Sequence, residues 1–390
     1  MLSVGTVVVI TSDREDKGPL RKALMTEGFN VVFTSEIASA KELITSEKPS
    51  ILLHNFDVAE VSQSRQFQLR LSKLRFEWDM PRVIVVPKIT SEFLALANDA
   101  QITKILSKNT SVLAVASELA MTVSANANLS QFQRDIRNMR MHTDPDRQQD
   151  EIDKKIEEAW EHYAHDPEVK IEFANLELRR NHLDSAQKIA HQLTASGQQN
   201  VRAMSLLARI LMKKGDTENA IRILEQADIL SPDNCDRLVE MGNIFYSQGN
   251  LGKAKRCFKT VIELEPKREE AAKALGEIHI SEGDASAAIE LFQGSLSEEE
   301  SAGVFNNAAV QAVNAGDLEK GLLLYESAYK CLKTDRYKHK VLFNVALAQK
   351  KIGNFEQAAM TLRQVLEINP KFEKAKKQLE NINKTISKSA

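Results

Sequence analysis

Two regimes of apolar spacing succeed one another along the chain. Up to about residue 125, short runs rich in β-branched residues recur: Val7–Ile10, Val31–Phe33, Ile51–Leu53, Val83–Val86 and a weaker fifth, Ile102–Leu106. Between them lie stretches with apolar residues at helical spacing: Leu20–Glu27, Ala38–Ser46, Ser64–Phe76, Ser91–Asn98 and Val112–Val123. Strands alternating with amphipathic helices predict a parallel sheet covered on both faces. From there on the spacing is helical. Leu129, Phe132, Ile136 and Met139 mark a connector helix over Leu129–Met141, whose apolar stripe predicts docking on a neighbouring domain. Thr143-Asp144-Pro145-Asp146 breaks it, and Gln148–Tyr163 resumes with Ile152, Ile156, Ala159 and Trp160 on one stripe. Asp166-Pro167 opens the next helix, since proline is tolerated in a first turn.

The helical region also repeats itself. Within Cys235–Arg268, Met241, Gly242, Phe245, Gly249, Ala254, Phe258 and Pro266 suit a helix–turn–helix: close approach at Gly242, a break at Gly249, a small residue and then a bulky one at the crossing. The break position recurs as Gly215, Gly249, Gly283, Gly316 and Gly353, in steps of 34, 34, 33 and 37 residues. The small residue recurs as Ala220, Ala254, Ala288, Gly321 and Ala358, and the bulky one as Leu224, Phe258, Phe292, Tyr325 and Leu362. A degenerate copy precedes them, with Asn181, Ala186 and Ala190 in these roles. These offsets resemble the tetratricopeptide repeat (TPR), a helical pair that buries its apolar face only when stacked on others.

Five strand–helix units in the first 125 residues suit the doubly wound, flavodoxin-like (CheY-like) fold, whose functional crevice lies at the carboxyl ends of the strands. With Glu27-Gly28-Phe29 before the second strand and Lys48-Pro49-Ser50 before the third, the stretch from Thr6 to Met121 resembles a response-regulator receiver domain. That resemblance places the family's acidic pair on Thr11 and Ser12, with Asp13 one residue late. It places the phospho-accepting aspartate on Asn55, the hydroxyl on Val86 or Pro87, and the lysine on Lys108. An amide is a poor nucleophile toward a phosphoryl donor, and one carboxylate beside two hydroxyls holds Mg²⁺ poorly. Asp57 lies two residues beyond the acceptor position. The expectation is a pseudo-receiver that keeps the fold and has lost phosphoryl chemistry. An open α/β sheet with no signalling ancestry, in which Lys108 is an ordinary solvated lysine, is the alternative.

The organisation expected is therefore a receiver-like domain over 1–124, a helical connector over 125–165, about six repeats over 166–372, and a capping helix and tail over 373–390. A formal charge of −2 exerts no global pull toward nucleic acid or anionic membrane. No run of 18 apolar residues occurs, and the N-terminus lacks a basic region before its apolar run, so neither membrane insertion nor a signal peptide is expected. Cys235, Cys257 and Cys331 lack metal-ligand spacing and read as reduced, structural and cytoplasmic. The eight histidines form no metal or catalytic constellation. No enzyme, cofactor or metal is expected.

In stacked repeats the first helices line the partner-binding face. Reading every second, fifth, ninth and twelfth position of each unit nominates Arg209, Asn243, Tyr246, Ile280, Val310, Lys340, Phe343 and Leu347. Some repeat proteins clamp a partner's C-terminal carboxylate, and Lys273, Asn307 and Lys340 match three of those positions; Glu277 and Asn344 depart from the pattern. The bland reading is that the apolar members touch the next repeat. The tail from Lys371 carries six lysines against Glu373 and Glu380, as a solvated capping helix does. The function expected is a non-catalytic adaptor in a bacterial-type signalling or assembly pathway. Its groove would bind a protein segment and its receiver-like domain would supply a second docking or homodimer face. A phosphorylation-responsive regulator using Asp57 or Asp13 is the alternative, and a small-ligand sensor a third.

Overall fold

The computed structural model describes residues 4–15, 17–73, 80–128, 149–195 and 200–389. The expected connector helix over 129–141 lies outside them. The chain divides into two compact units, 1–237 and 238–390.

In the first unit, β1 (Gly5–Ile10), β2 (Phe29–Thr34), β3 (Ile51–Asn55), β4 (Arg82–Val86) and β5 (Lys104–Ser107) form one parallel sheet in the order β2-β1-β3-β4-β5. Val7 of β1 pairs with Val31 on one side and Ile51 on the other. Helices α1 (Lys17–Thr26), α2 (Ile37–Glu47), α3 (Val61–Lys73), α4 (Ser91–Asp99) and α5 (Val112–Ala127) supply the crossovers. The two-residue period of the strands sorts the core. Val7, Val9, Ile51, Leu53, Val83 and Val85 pack with Leu24 of α1 and Leu119 of α5. Val8, Ile10 and Leu52 pack with Ile44 of α2 and Phe67 of α3, and Ile84 and Val86 with Phe93 and Leu96 of α4.

The same unit contains the first helices of the rear part: α6 (Gln149–Tyr163), α7 (Pro167–Arg179), α8 (Leu183–Ala195), α9 (Val201–Lys213) and α10 (Thr217–Leu230). Asp166 caps α7 by accepting from the N–H groups of Glu168 and Val169, with Pro167 in the first turn. Ala95 of α4 packs with Val201 of α9 and Ala227 of α10. Around that contact runs a polar cluster that nothing in the sequence announces. The carboxylate of Asp99, at the end of α4, accepts from Ser231 Oγ (3.0 Å), Asn234 Nδ2 (3.1 Å) and Arg237 Nη1 (3.2 Å). Arg237 is 1 % exposed and also reaches Asp228 and the carbonyl of Ser231. From α3, Ser62 donates to Asp233 at 2.9 Å and Gln66 donates to the Asp233 carbonyl. Asp233 itself holds φ 71°, a left-handed turn that Asp tolerates better than most residues. The α3–α4 face of the sheet is thus covered by the chain's own helices.

The second unit takes up α11 (Cys235–Ser247) from Leu238 and continues with α12 (Leu251–Leu264), α13 (Glu269–Ser281), α14 (Ala285–Ser295), α15 (Glu298–Ala315), α16 (Leu318–Lys330), α17 (Lys338–Lys351), α18 (Phe355–Ile368) and α19 (Glu373–Ser389). All five break glycines have positive φ, between 73° and 92°, and Asn181 at the degenerate break has φ 64°. The residue after four of them, Asp216, Asn250, Asp284 and Asp317, caps the following helix with its side chain.

At each crossing, size is matched across the pair. A Cβ on Gly242 would stand 2.7 Å from the Phe258 ring, and one on Gly276 would stand 2.1 Å from the Phe292 ring. The equivalent positions hold Ala208 with Leu224, Ala309 with Tyr325 and Ala346 with Leu362, all buried. Where the large Tyr325 meets an alanine, the glycine has moved to Gly321, whose Cβ would meet Val313 at 2.4 Å. The 37-residue step has a local cause: seven residues, 331–337, separate α16 from α17, where four, 265–268, separate α12 from α13.

Two sets of variants test these contacts by thermal or urea unfolding. Gly276→Ala is expected to cost about 1–3 kcal/mol through overpacking. Gly252→Ala, in helical backbone with open space around it, is expected to be neutral or to gain up to about 1 kcal/mol. Asp99→Ala, which strands the buried Arg237, is expected to cost about 3–5 kcal/mol. Lys255→Ala, which breaks the exposed pair with Glu282, is expected to cost less than about 1 kcal/mol.

Candidate functional site

Two places gather the polar residues nominated from sequence. The first is the carboxyl end of the sheet, where Thr11, Ser12, Asp13, Asn55, Asp57 and Lys108 come together. Asn55, the last residue of β3, donates through Nδ2 to Thr11 Oγ1 (3.3 Å), and the Asp13 N–H donates to the same oxygen (3.2 Å). Asn55 Oδ1 is buried and without a hydrogen-bond partner. Asp13 turns back to accept from the Glu15 N–H (3.0 Å). Ser12 donates to Asp57 Oδ2 (2.7 Å) and the Ala59 N–H to Oδ1 (3.0 Å). Those two bonds, with the positive charge of Lys108 added, hold the Asp57 carboxyl below its usual range. Asp57 therefore caps the short turn Val58–Glu60 as an anion while Asn55 occupies the strand end. Among the described residues no group of three or more His, Cys, Asp or Glu is placed to hold a metal ion.

His54, which stands before Asn55 and belongs to no metal or catalytic constellation in the sequence, is a core residue. It lies between Ser64 and Gln68 of α3 and is 1 % exposed. Arg82 donates to Gln68 Oε1 (3.3 Å), so the Gln68 amide N–H faces His54 Nδ1 (3.1 Å) and the ring proton on Nε2 points to Ser64 Oγ (3.2 Å). Burial lowers its pKa to about 3, so it is a neutral structural group.

The second place is the row of first-helix positions. In the first unit Arg209 is exposed and donates to Asn175 Oδ1 (2.6 Å), one repeat back, as Arg202 pairs with Glu168 (2.8 Å). In the second unit Asn243 and Tyr246 on α11, Glu277 on α13, Asn307 on α15 and Lys340 on α17 are exposed, and Val310, Phe343 and Leu347 are half-buried. Glu277 sits low enough between its neighbours that desolvation raises its carboxyl pKa, and Tyr246 is raised by burial and by that carboxylate. The expectation that Ile280 faces the groove does not hold. It is buried with Ala288, Phe292, Ala302 and Phe305, because the next helical pair covers the twelfth position of α13. Val239 and Val313 are buried as well. Phe343 is half internal, its ring edge-on to Phe372 at 5.1 Å.

Two of the three positions matching a carboxylate clamp, Lys273 and Lys340, have partners within the chain. Lys273 pairs with Glu300 (2.7 Å), and that bond, with those from the Ser297 hydroxyl and N–H, holds the Glu300 carboxyl at a pKa of about 2; Asn344 donates to Asn306 Oδ1 (2.7 Å). Lys340 stands over the Tyr337 ring at 4.9 Å.

Models of the tetratricopeptide repeat match residues 171–234, 211–278 and 339–372. The helical pairs within those residues are tetratricopeptide repeats. Such repeats in general mediate protein–protein interaction. No curated protein matches the sequence. Similar solved structures include a tetratricopeptide repeat protein from Parabacteroides merdae, at 13 % identity over 64 % of this chain and 98 % of that one, with TM-score 0.39. MamA aligns at 15 % identity over 39 % and 93 % of the two chains, TM-score 0.34. YrrB, a TPR protein with an unusual peptide-binding site, aligns at 17 % identity over 58 % and 97 %, TM-score 0.30. Among the described residues no helix is long and apolar enough to cross a membrane.

The buried His54 gives the first unit a pH signature. Its folded pKa lies below the unfolded value, so the unfolded chain takes up the extra proton and stability falls as pH drops from about 6.5 toward 3, by up to about 5 kcal/mol. Unfolding measured from pH 7 to 4 is expected to be less pH-dependent in His54→Gln, by up to about 1.4 kcal/mol per pH unit.

Proposed function

We propose that this protein is a non-catalytic adaptor whose repeat groove in the second unit holds a segment of a partner protein. The observation that carries the reading is the row of open first-helix positions: Asn243, Tyr246 and Asn307 exposed, with Val310, Phe343 and Leu347 beside them as half-covered apolar ground. Aromatic and aliphatic residues rimmed by polar ones suit a docked peptide. Lys273 and Lys340 flank the row, one paired with Glu300 and the other stacked on Tyr337.

The α/β part is read as a flavodoxin-like pseudo-receiver in a bacterial-type signalling or assembly pathway of the cytoplasm. The parallel order β2-β1-β3-β4-β5 and the placing of Asn55 at the strand end support that reading. Its second docking or homodimer face would fall on α1 and α5, where Met25, Leu113 and Met121 are exposed, since α3 and α4 are covered. A phosphorylation-responsive regulator is favoured by one observation, the nearness of Asp57 to Ser12 and Lys108. The hydrogen bonds that hold Asp57 as a cap oppose its use as a nucleophile.

Incubation with acetyl phosphate and Mg²⁺ is expected to leave the intact mass unchanged; a stoichiometric phosphate adduct would establish the regulator. Tyr246→Ser with Leu347→Gln is expected to lower recovery of a bound partner at least about tenfold while leaving the melting profile in place. Undiminished recovery would move the binding surface elsewhere.

A further inference from the structure

Charge is distributed unevenly along the second unit. Residues 338–390 hold eleven lysines and arginines against four glutamates, a net of +7 in a chain whose total is −2. The placing of the lysines says more than their number. Groove positions recur one repeat apart, so Lys340, Phe343, Leu347 and Lys350 of α17 map onto α19 as Lys374, Lys377, Asn381 and Lys384.

The packing of α19 agrees with this register. Ala375 and Ile382 are buried with Leu362 and Val365 of α18, as a further first helix would be. Lys350 Nζ donates to Gln378 Oε1 (3.0 Å), tying α17 to α19. Lys374, Lys377 and Lys384 are exposed, and among the described residues no carboxylate pairs with them; Glu373 is taken by Lys376 (2.8 Å). The middle of the row is uncharged, with Asn306, Asn307 and Val310 on α15, and α13 brings Glu270, Lys273 and Glu277, of which Glu270 is paired with Arg268 and Lys273 with Glu300. The row therefore runs from one carboxylate with no ion pair among the described residues, Glu277, through neutral ground to basic.

We propose that the α17–α19 end of the groove receives an acidic stretch of an extended polypeptide, with apolar side chains of that polypeptide on Phe343 and Leu347. The inference rests on the groove reading above and adds the partner's chemistry and polarity. Lysines are mobile point charges that suit a run of carboxylates, and Glu277 repels the same run at the opposite end, which fixes its direction. Nucleic acid fits less well: no exposed aromatic lies between the lysines for a base to stack on, and Phe343 and Phe372 are packed against each other. A membrane surface also fits less well, because the large apolar residues of α19, Leu379, Ile382 and Ile386, are turned into the core.

The test is fluorescence anisotropy with the full chain and a labelled peptide in which leucine and phenylalanine anchors precede a run of glutamates. A matched peptide with glutamines in that run, a single-stranded oligonucleotide and phosphatidylserine vesicles serve as comparisons. At low salt the glutamate peptide is expected to bind at least about tenfold tighter than the glutamine one, with the difference shrinking as salt rises. Lys374→Glu, Lys377→Glu and Lys384→Glu together should erase that preference without moving the melting profile. Equal affinity for the two peptides, a preference unaffected by the triple variant, or tighter binding of oligonucleotide or vesicles overturns the inference. If Leu347→Gln then weakens both peptides alike, the groove reading survives it. Failure of both peptides to bind also overturns the acidic-partner inference, and the groove reading is then decided by the partner recovery of Tyr246→Ser with Leu347→Gln.

Discussion

A paired helix can bury its apolar stripe only against its mate and its neighbours, and the distance to the mate is set by one contact. Phe258 on Gly242 and Phe292 on Gly276 bring the helix backbones close because nothing but hydrogen stands where the ring edge arrives. When the second-helix residue shrinks to Leu224 or Leu362, the facing position gains a methyl as Ala208 or Ala346. The array thus conserves the volume of the crossing rather than the identity of its residues. The exchange between Tyr325, Ala309 and Gly321 follows the same rule over three positions. Close packing leaves little room for any other arrangement.

A different kind of contact makes one unit of the sheet and the first repeats. Asp99 and Arg237 are both withdrawn from water, their side chains 6 % and 1 % exposed, and each is costly to bury alone. The pair is held because Ser231, Asn234 and Asp228 complete its hydrogen bonds. Asp228 shows the cost, with burial raising its carboxyl pKa against the pull of Arg237. Polar groups in such a cluster discriminate among packings more sharply than apolar ones do, since every misfit leaves a buried charge unanswered.

Much of this was legible in the residues. Continuous apolar runs such as Val7–Ile10 and Ile51–Leu53 marked the strands, and the glycine at each break, with Asn181 in its degenerate copy, marked the turns that take positive φ. These are local signals, carried by neighbours in sequence. Asp99 with Arg237, and Gln66 with Asp233, are more than a hundred residues apart, so no window along the chain contains both partners. Arg237 sat in the cleanest repeat and read as one more charged helix residue. Ile280 misled for a related reason: its exposure was judged on one helix, while the following pair determines it. In the crevice, an amide, Asn55, at the end of the third strand was legible from its count after Pro49. The turn of Asp57 onto Ser12 and Ala59 required coordinates.

The seam within the first unit limits how this architecture can be recombined. A sheet joined to a repeat array by a solvated tether can trade arrays freely, because each part arrives with a finished exterior. Here the exterior of α4 is unfinished until a guanidinium comes to it from the start of α11. Any substitute array would have to deliver an arginine to that spot, on a turn as tight as the one at Asp233. Grafting by sequence boundary alone would leave a hydrated carboxylate where a dry joint should be.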